Sequence, residues 1–531
     1  MSRLSDLQYL KLTRIQKLLY NLKLFFLCIP GFFVALGRSI LNFFKKCGLG
    51  VKNEVVDIGT TFTRGNWAVK VSFLVFGFGN LFHGQILRGI LFFLFEAIFI
   101  TYMFLPSGGI YWLSKGHWFQ TGATLGTTVT QQVYDPIYDA YIDVITDNGV
   151  VVGQRDDSVK VMLYGLLTIL FIIAFIYTWR LQVKQCRICT DITAQGKKVK
   201  SGKDDLRSLV DDQFHKTLLS LPLAGIMMFT ILPTIYMVLV AFTSYDGNNN
   251  GYSNLFSWVG LDNFNQLLNF NTGGLGLAFG EILSWTLMWS FFATFTNYFL
   301  GMFVAIMINK KGIKFKKFWR TALVMTIAIP QFVSLLYARQ LFDDSGIIGK
   351  LLIDYNLLPQ FLVDQGINSL WDHEVTARIM LIVINIWVGI PYIMLMATGI
   401  LMNIPQDLYE SSKIDGANAF QQYTRITLPY MLFVTGPYLL TSFVGNLNNF
   451  NVIFLLTGGN PLDTQIGVAG GASVGSTDLL ITWLFKMTVN SAESKYYAAS
   501  VIGIMIFLVV AVLSLVVYNI IPSTRNEEDF K

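Results

Sequence analysis

Long apolar runs recur along this chain, and they leave very few folds open to it. Lipid offers no partner for backbone N–H and C=O groups, so a segment crosses a bilayer as a helix of about 20 mostly apolar residues or as a strand of a closed barrel. Residues 89–104 and 161–177 satisfy the helical requirement, and beyond residue 215 so do 218–242, 282–308, 318–341, 379–402, 432–456 and 498–520. These are eight firm spans, and up to ten if the shorter, interrupted stretches 19–44 and 69–81 are added. Composition agrees: 53% of 531 residues are hydrophobic and only 14% are charged, too apolar for a soluble chain of this size. The expected class is an all-α polytopic membrane protein.

Orientation follows from the connections, because Lys and Arg collect on the cytoplasmic side. Residues 180–216 carry nine Lys/Arg and 309–320 carry six with no acid, whereas 244–281 carry none and 342–377 carry six acids against one lysine. Alternation then puts 403–427 in the cytoplasm. Lys45, Lys46, Lys52 and Arg64 would lie outside if 19–44 crossed the membrane, which favours a retained interfacial segment there over a span or a cleaved signal. The net charge of +6 sits in short runs beside apolar stretches, so no nucleic-acid partner is expected. Of the cysteines, Cys186 and Cys189 form a lone CxxC, half of a zinc site, and no metal is expected. The domain plan is 1–106, membrane and interfacial helices; 107–159, an outer loop; 160–216, a span and basic linker; 217–522, a six-span core with a loop at 403–428; and 523–531, a tail.

That loop is the most specific feature. Pro405 suits the first turn of a helix, Gly416 a sharp turn out of it and Pro429 the start of the next span, giving two short helices with a bend. Glu410 is followed at fixed offsets by Gly416 and by Ile426, Leu428 and Pro429. This spacing resembles the signature of binding-protein-dependent ABC importer permeases: E-A-A, three residues, G, nine residues, I-x-L-P. Ser411 and Ser412 stand where the family has its two alanines. The resemblance covers about the last 320 residues and is greatest to the larger membrane subunit of maltose and maltodextrin importers, with supporting stretches at 257–264, 387–392, 446–450 and 475–480. It implies a six-helix type I permease core preceded by two to four additional membrane helices. It also implies a coupling helix, Glu410, Ser411, Ser412, Asp415, Gly416 and Ala417, docked in a cleft of a cytoplasmic ATPase. The implied partners are a second homologous permease, two ABC ATPases and an extracellular sugar-binding protein. The chain has no G-x-x-x-x-G-K-[ST] of its own, so no cofactor is expected on it and ATP belongs to the partner ATPase.

On a continuous fifth core helix, Ser442, Asn446 and Asn449 fall at i, i+4 and i+7 with Gly445 beside them. Uncharged amides in a membrane either staple helices together or line a wet cavity. The resemblance implies the cavity, since positions matching Ser442, Gly445, Asn446, Asn449, Val388, Gly389, Tyr392, Ile327 and Gln331 line the sugar site in the maltose importer. Ile327 and Gln331 replace an aromatic and a serine, and Gly445 replaces an aromatic, which leaves room for a larger or different sugar. Maltodextrins are the first expectation and galacto-oligosaccharides the second.

Two other classes compete. A gradient-driven carrier needs an intramembrane carboxylate or histidine. The interiors of the six core spans carry no acid or base, Arg320 and Arg339 standing near the ends of the third, and Glu96 in the N-terminal region reads as a structural group paired with Arg88. A membrane enzyme needs paired acids or a metal motif, and His373-Glu374 is followed by Ala377 where H-E-x-x-H requires histidine. Outside, Asp135, Asp139, Asp143 and Asp147 recur every four residues and read as a solvated helix face. The outer loop that holds them has only about fifty residues, against a large extra domain in enteric maltose permeases, which points to a lipid-anchored binding protein.

Overall fold

The computed structural model describes residues 37–38, 41–42, 45–46, 48–126, 132–135, 140–143, 157–199, 202–211, 213–247, 255–269, 274–310, 312–490 and 494–520. The stretch 19–36, Asp139, Asp147 and the tail 523–531 lie outside them. Among the described residues seven helices are long and apolar enough to cross a membrane, and eight if one bent pair counts as a single span. They are Ile86–Phe104, Ser158–Ala194, Phe214–Val240, Leu275–Asn309, the bent pair Lys316–Ala328 with Gln331–Asp354, Glu374–Leu401, Ala419–Leu447 and Tyr496–Leu515. The chain is thus a polytopic helical membrane protein, and it divides into two compact units, the second beginning its main run at Met237.

In the first unit, stretch 69–81 does not span. It forms two short helices, Trp67–Val71 and Phe78–Phe82, because Gly77 turns left-handed at φ +74°, a conformation cheap only for glycine. The bend between them is held from both sides. Trp179 donates to the Phe73 carbonyl at 3.1 Å, and Phe76 stacks on Phe175 with centroids 4.7 Å apart. Buried Glu96 accepts the Phe76 backbone N–H at 2.8 Å, whereas Arg88 donates to Gln185; the acid therefore serves a backbone amide of the bend rather than Arg88. Cys186 and Cys189 are both buried, the second 3.4 Å from Gln85 Oε1. Alongside, residues 48–64 form a helix whose Asp57 pairs with Arg180 and Arg187; the bonds to Arg180 and then Arg187 hold this carboxyl below the usual carboxylate range.

In the second unit Leu275–Asn309 and Glu374–Leu401 run side by side. Gly301 lies on Ile393, Gly389 on Asn297, and Asn309 donates to Thr398 at 3.0 Å, so positions rise together and the pair is parallel. A side chain at Gly389 would overlap the Asn297 side chain, the close approach that small residues permit in membranes. Three apolar clusters run along this pair. The first holds Phe279, Trp483 and Ile502, the second Trp289, Leu335 and Leu381, and the third Tyr298, Met394 and Met431.

Two expected spans are broken. The third bends by 96° at Pro330, whose ring drives Ile329 into extended backbone at φ −79°, ψ 125°. The fifth ends at Leu447, and a separate helix, Phe450–Leu456, follows. A chain excursion from Thr457 then leads to the apolar helix Leu480–Val489, which is too short to stand out as a span. Outside the core, β1 (Gln132–Asp135) and β2 (Ala140–Asp143) pair antiparallel, Asp143 opposite Gln132 and Asp135 opposite Ala140. Where a helix was expected, 132–135 and 140–143, with Asp135 and Asp143, are therefore paired strands. Pro136 disfavours helix at Asp135, and Val133, Tyr134, Tyr141 and Ile142 are strand formers.

Candidate functional site

The polar residues of the fifth span collect where its helix stops. Asn446 donates from Nδ2 to Thr294 Oγ1 of Leu275–Asn309 at 2.9 Å, and its Oδ1 accepts from Asn449 at 3.2 Å. Asn449 lies beyond the helix end and caps the next one through Val452 N. A continuous i, i+4, i+7 face is thus replaced by a polar joint. Helix termini leave backbone groups unsatisfied, and amides at the break supply what apolar side chains cannot. Among the described residues, the helix's own nearby backbone aside, nothing lies within 4 Å of where a Gly445 side chain would begin, so the joint has an open side. Tyr392 is exposed, its ring 6.2 Å from that of Tyr438, and Ser442 lies one turn beyond Tyr438. Ile327 and Gln331 flank the bend at Pro330, both exposed. Val388 packs against the Trp289 cluster, and Gly389 serves the helix crossing. The nine positions therefore divide into an open group (Gly445, Tyr392, Ile327, Gln331), a hydrogen-bonded joint (Asn446, Asn449, with Ser442 near it) and two packing positions.

The 403–428 loop is built tightly. Helix Gln406–Ile414 ends where Gly416 adopts φ +80°; Gly416 N–H reaches Lys413 O at 3.0 Å and Ala417 N–H reaches Ser412 O at 2.9 Å, the pair of bonds that closes a helix around a left-handed residue. Asn418 and Gln421 then cap the next helix reciprocally. Ser412 is turned inward, donating to Tyr409 O and accepting from Gln422, while Tyr409 Oη meets Thr427 Oγ1 at 2.8 Å. Glu410, Ser411, Asp415 and Gly416 are exposed, Ser412 and Ala417 half-buried. Ile414 is 88% and Phe420 72% exposed, two apolar side chains presented on a polar loop.

Charges cluster at the far end of the parallel pair. Arg378 donates from Nε and Nη2 to Ser476 O at 2.9 and 2.7 Å, lies 4.6 Å from the Trp285 ring and pairs with Glu374. With Glu281, Asp372 and Asp463 it lines a cavity of ≈ 670 Å³; burial first, then Asp343 and Asp344, pushes the Asp372 carboxyl above its usual range. Behind it, fully buried Asp478 accepts from Gly475 N, Thr482 Oγ1 and Lys486 Nζ at 2.8, 2.9 and 2.7 Å. The ties of Arg378 to Ser476 and to the Trp285 ring were not legible, since they join residues far apart in the sequence; the Glu374–Arg378 pair and the bonds of Asp478 are local, but nothing in the sequence said that they would be buried together.

A family profile described as the inner membrane component of binding-protein-dependent transport systems matches residues 297–526. The maltodextrin transport system permease protein MalC of Streptococcus pneumoniae is 32% identical over 370 residues, 69% of this chain and 82% of that protein. This chain belongs to the binding-protein-dependent transport permeases. The galactooligosaccharides permease GanP of Bacillus subtilis is 30% identical over 82% of this chain and 93% of its own length, and the maltodextrin permease MdxF of the same organism 31% identical over 71% and 85%. As a member of this permease family the protein is a multi-pass component of the bacterial plasma membrane, and a binding protein belongs to the transport system. The gradient-driven carrier and the membrane enzyme fall away.

In the permease, Asn446→Leu tests the polar joint. Interhelical hydrogen bonds in membranes contribute about 0.6 kcal/mol each and up to about 1.7, so the variant is expected to assemble with a small loss of thermal stability. Sugar uptake is expected to fall several-fold at matched expression. Unchanged uptake would leave Asn446 as a staple between helices.

Proposed function

We propose that this permease forms one half of the path of an ATP-driven oligosaccharide importer, with maltodextrins as its first substrate class. It works with a second, homologous permease, two cytoplasmic ABC ATPases that hydrolyse the ATP, and an extracellular, lipid-anchored sugar-binding protein; the chain itself binds no cofactor. The observation that carries this reading is the loop of residues 403–428, whose Gly416 turn presents Ile414, Phe420 and Glu410 outward on a scaffold closed by its own hydrogen bonds. A helix that lays apolar side chains into a partner's groove needs that kind of presentation. The substrate class rests on uncharged hydroxyl and amide groups at the Asn446 joint and on two maltodextrin permeases among the relatives. Polar groups of this kind fix a sugar's orientation without selecting charge. Sugar delivered by the binding protein enters between the two permeases, and closure of the ATPases swings the loop and the helices it caps, in an alternating-access cycle.

Galacto-oligosaccharides are the second reading, favoured by the alignment with GanP, which runs further along this chain than the one with MalC. Uptake of labelled malto-oligosaccharides and galacto-oligosaccharides in matched cells with and without this gene separates the two. Loss of malto-oligosaccharide uptake alone supports the first reading, loss of the other alone replaces the substrate, and loss of neither sinks the importer assignment for both.

A further inference from the structure

The first compact unit holds a cavity of ≈ 690 Å³. One wall is the turn closing the short helix Phe78–Phe82, with His83 and Gly84, together with Asn66, which caps the other short helix. The opposite wall is the end of Ser158–Ala194, with Thr190 and Thr193. His83 ties the walls together, its Nε2 3.1 Å from Thr190 Oγ1 and its Nδ1 3.3 Å from Thr193 Oγ1. The cavity is therefore preformed. Burial lowers the pKa of His83, so the charge comes from elsewhere. Gly196, at φ +73°, ends the long helix with Gly196 N–H on Thr193 O and Lys197 N–H on Ile192 O. That turn satisfies carbonyls that would repel an anion and brings Lys197 and Lys198 over the cavity. Both lysines are exposed and neither forms an ion pair among the described residues.

The setting fixes the depth. Ile86, two residues after Gly84, begins a span whose side chains Ile86, Ile90 and Leu91 are exposed. On the cavity's rim Phe82 packs edge-on against Trp67 at 4.9 Å, both about half exposed, as aromatic side chains do at headgroup level. Basic residues in 180–216 mark this as the cytoplasmic face. A site with apolar surface on one side and two uncommitted cations on the other suits an amphiphile.

We propose that this cavity binds the phosphodiester headgroup of an anionic phospholipid of the inner leaflet, held by Lys197 and Lys198. Basic pockets of this kind on the cytoplasmic side of membrane helices take anionic headgroups, and each lysine near such a surface contributes about 1 kcal/mol.

The test is native mass spectrometry of the full-length chain, delipidated and titrated with phosphatidylglycerol or phosphatidylcholine. Wild type is compared with a Lys197→Gln/Lys198→Gln double variant and with a Lys314→Gln/Lys317→Gln variant, which removes equal charge from another cytoplasmic loop. The expected result is selective retention of phosphatidylglycerol by wild type and by the second variant, with roughly thirtyfold weaker retention by the first. Equal binding by all three, or equal loss in both variants, overturns the site. An excess of inorganic phosphate distinguishes the sources: a headgroup site keeps its lipid, while displacement overturns the lipid and reassigns the lysines to a soluble phosphate.

Discussion

Gly416→Asp is expected to leave the permease inserted and folded, to release the ATPase on purification and to abolish sugar uptake. The φ of +80° at this residue costs an ordinary L-residue roughly 1–2 kcal/mol and an aspartate less, so the main change is a carboxylate added next to Asp415 on an exposed, already acidic turn. Among the described residues, neighbours in sequence aside, nothing lies within 4 Å of the added Cβ, so a clash at that atom is not the cause of failure; what suffers is the surface that docks on the turn. Gly416→Asn separates the two, since asparagine tolerates the left-handed region and adds no charge. It is expected to retain most uptake and most ATPase binding. Normal uptake and co-purification by Gly416→Asp would remove the loop from the coupling surface.

Asp478→Ala is expected to have the largest effect on stability. Its carboxylate is wholly buried, and Lys486, opposite, has a side chain only 12% exposed. Removing one partner of a buried pair leaves the other charged and desolvated, at about 3–5 kcal/mol. Here the Gly475 N–H and the Thr482 hydroxyl also lose their acceptor. Thermal unfolding in detergent should show a large drop in midpoint, and Asp478→Ala/Lys486→Met should recover much of it, because replacing both charges by apolar groups is often neutral. An unchanged midpoint in the single variant would mean that the pair contributes nothing to the fold.

How far the sequence could be read depended on whether a feature was local. The spans were legible because hydrophobicity and length are local, and the Glu410, Gly416, Pro429 spacing was legible because a turn closes within a few residues. The bend at Pro330 was half legible: proline signalled it, but its angle depends on what the two halves pack against. Asn449 misled, since a helix of period 3.6 places it beside Asn446 and only tertiary contacts end that helix at Leu447. The acidic period of four between Asp135 and Asp143 misled for the opposite reason, Pro136 and the β-branched and aromatic residues outweighing it. The Thr294 partner of Asn446 and the contacts of Arg378 with Ser476 and Trp285 were illegible, being contacts between distant parts of the chain, and the Asp478–Lys486 pair, though only eight residues apart, is defined by a burial that no local pattern announces.

The tie between Tyr409 and Thr427, with Gln422 bridging to Ser412, has a mechanical meaning. It welds the loop to the foot of Ala419–Leu447, 29 residues and about 43 Å long at 1.5 Å per residue, which passes through a π-helical turn at Tyr423–Thr427 and past Pro437 before its helix ends at Leu447. If a partner were to push on the loop, this tie would carry the displacement along the helix toward the amide joint at Asn446 and Asn449, with the parallel pair packed at Gly389 and Gly301 as the surface it moves against.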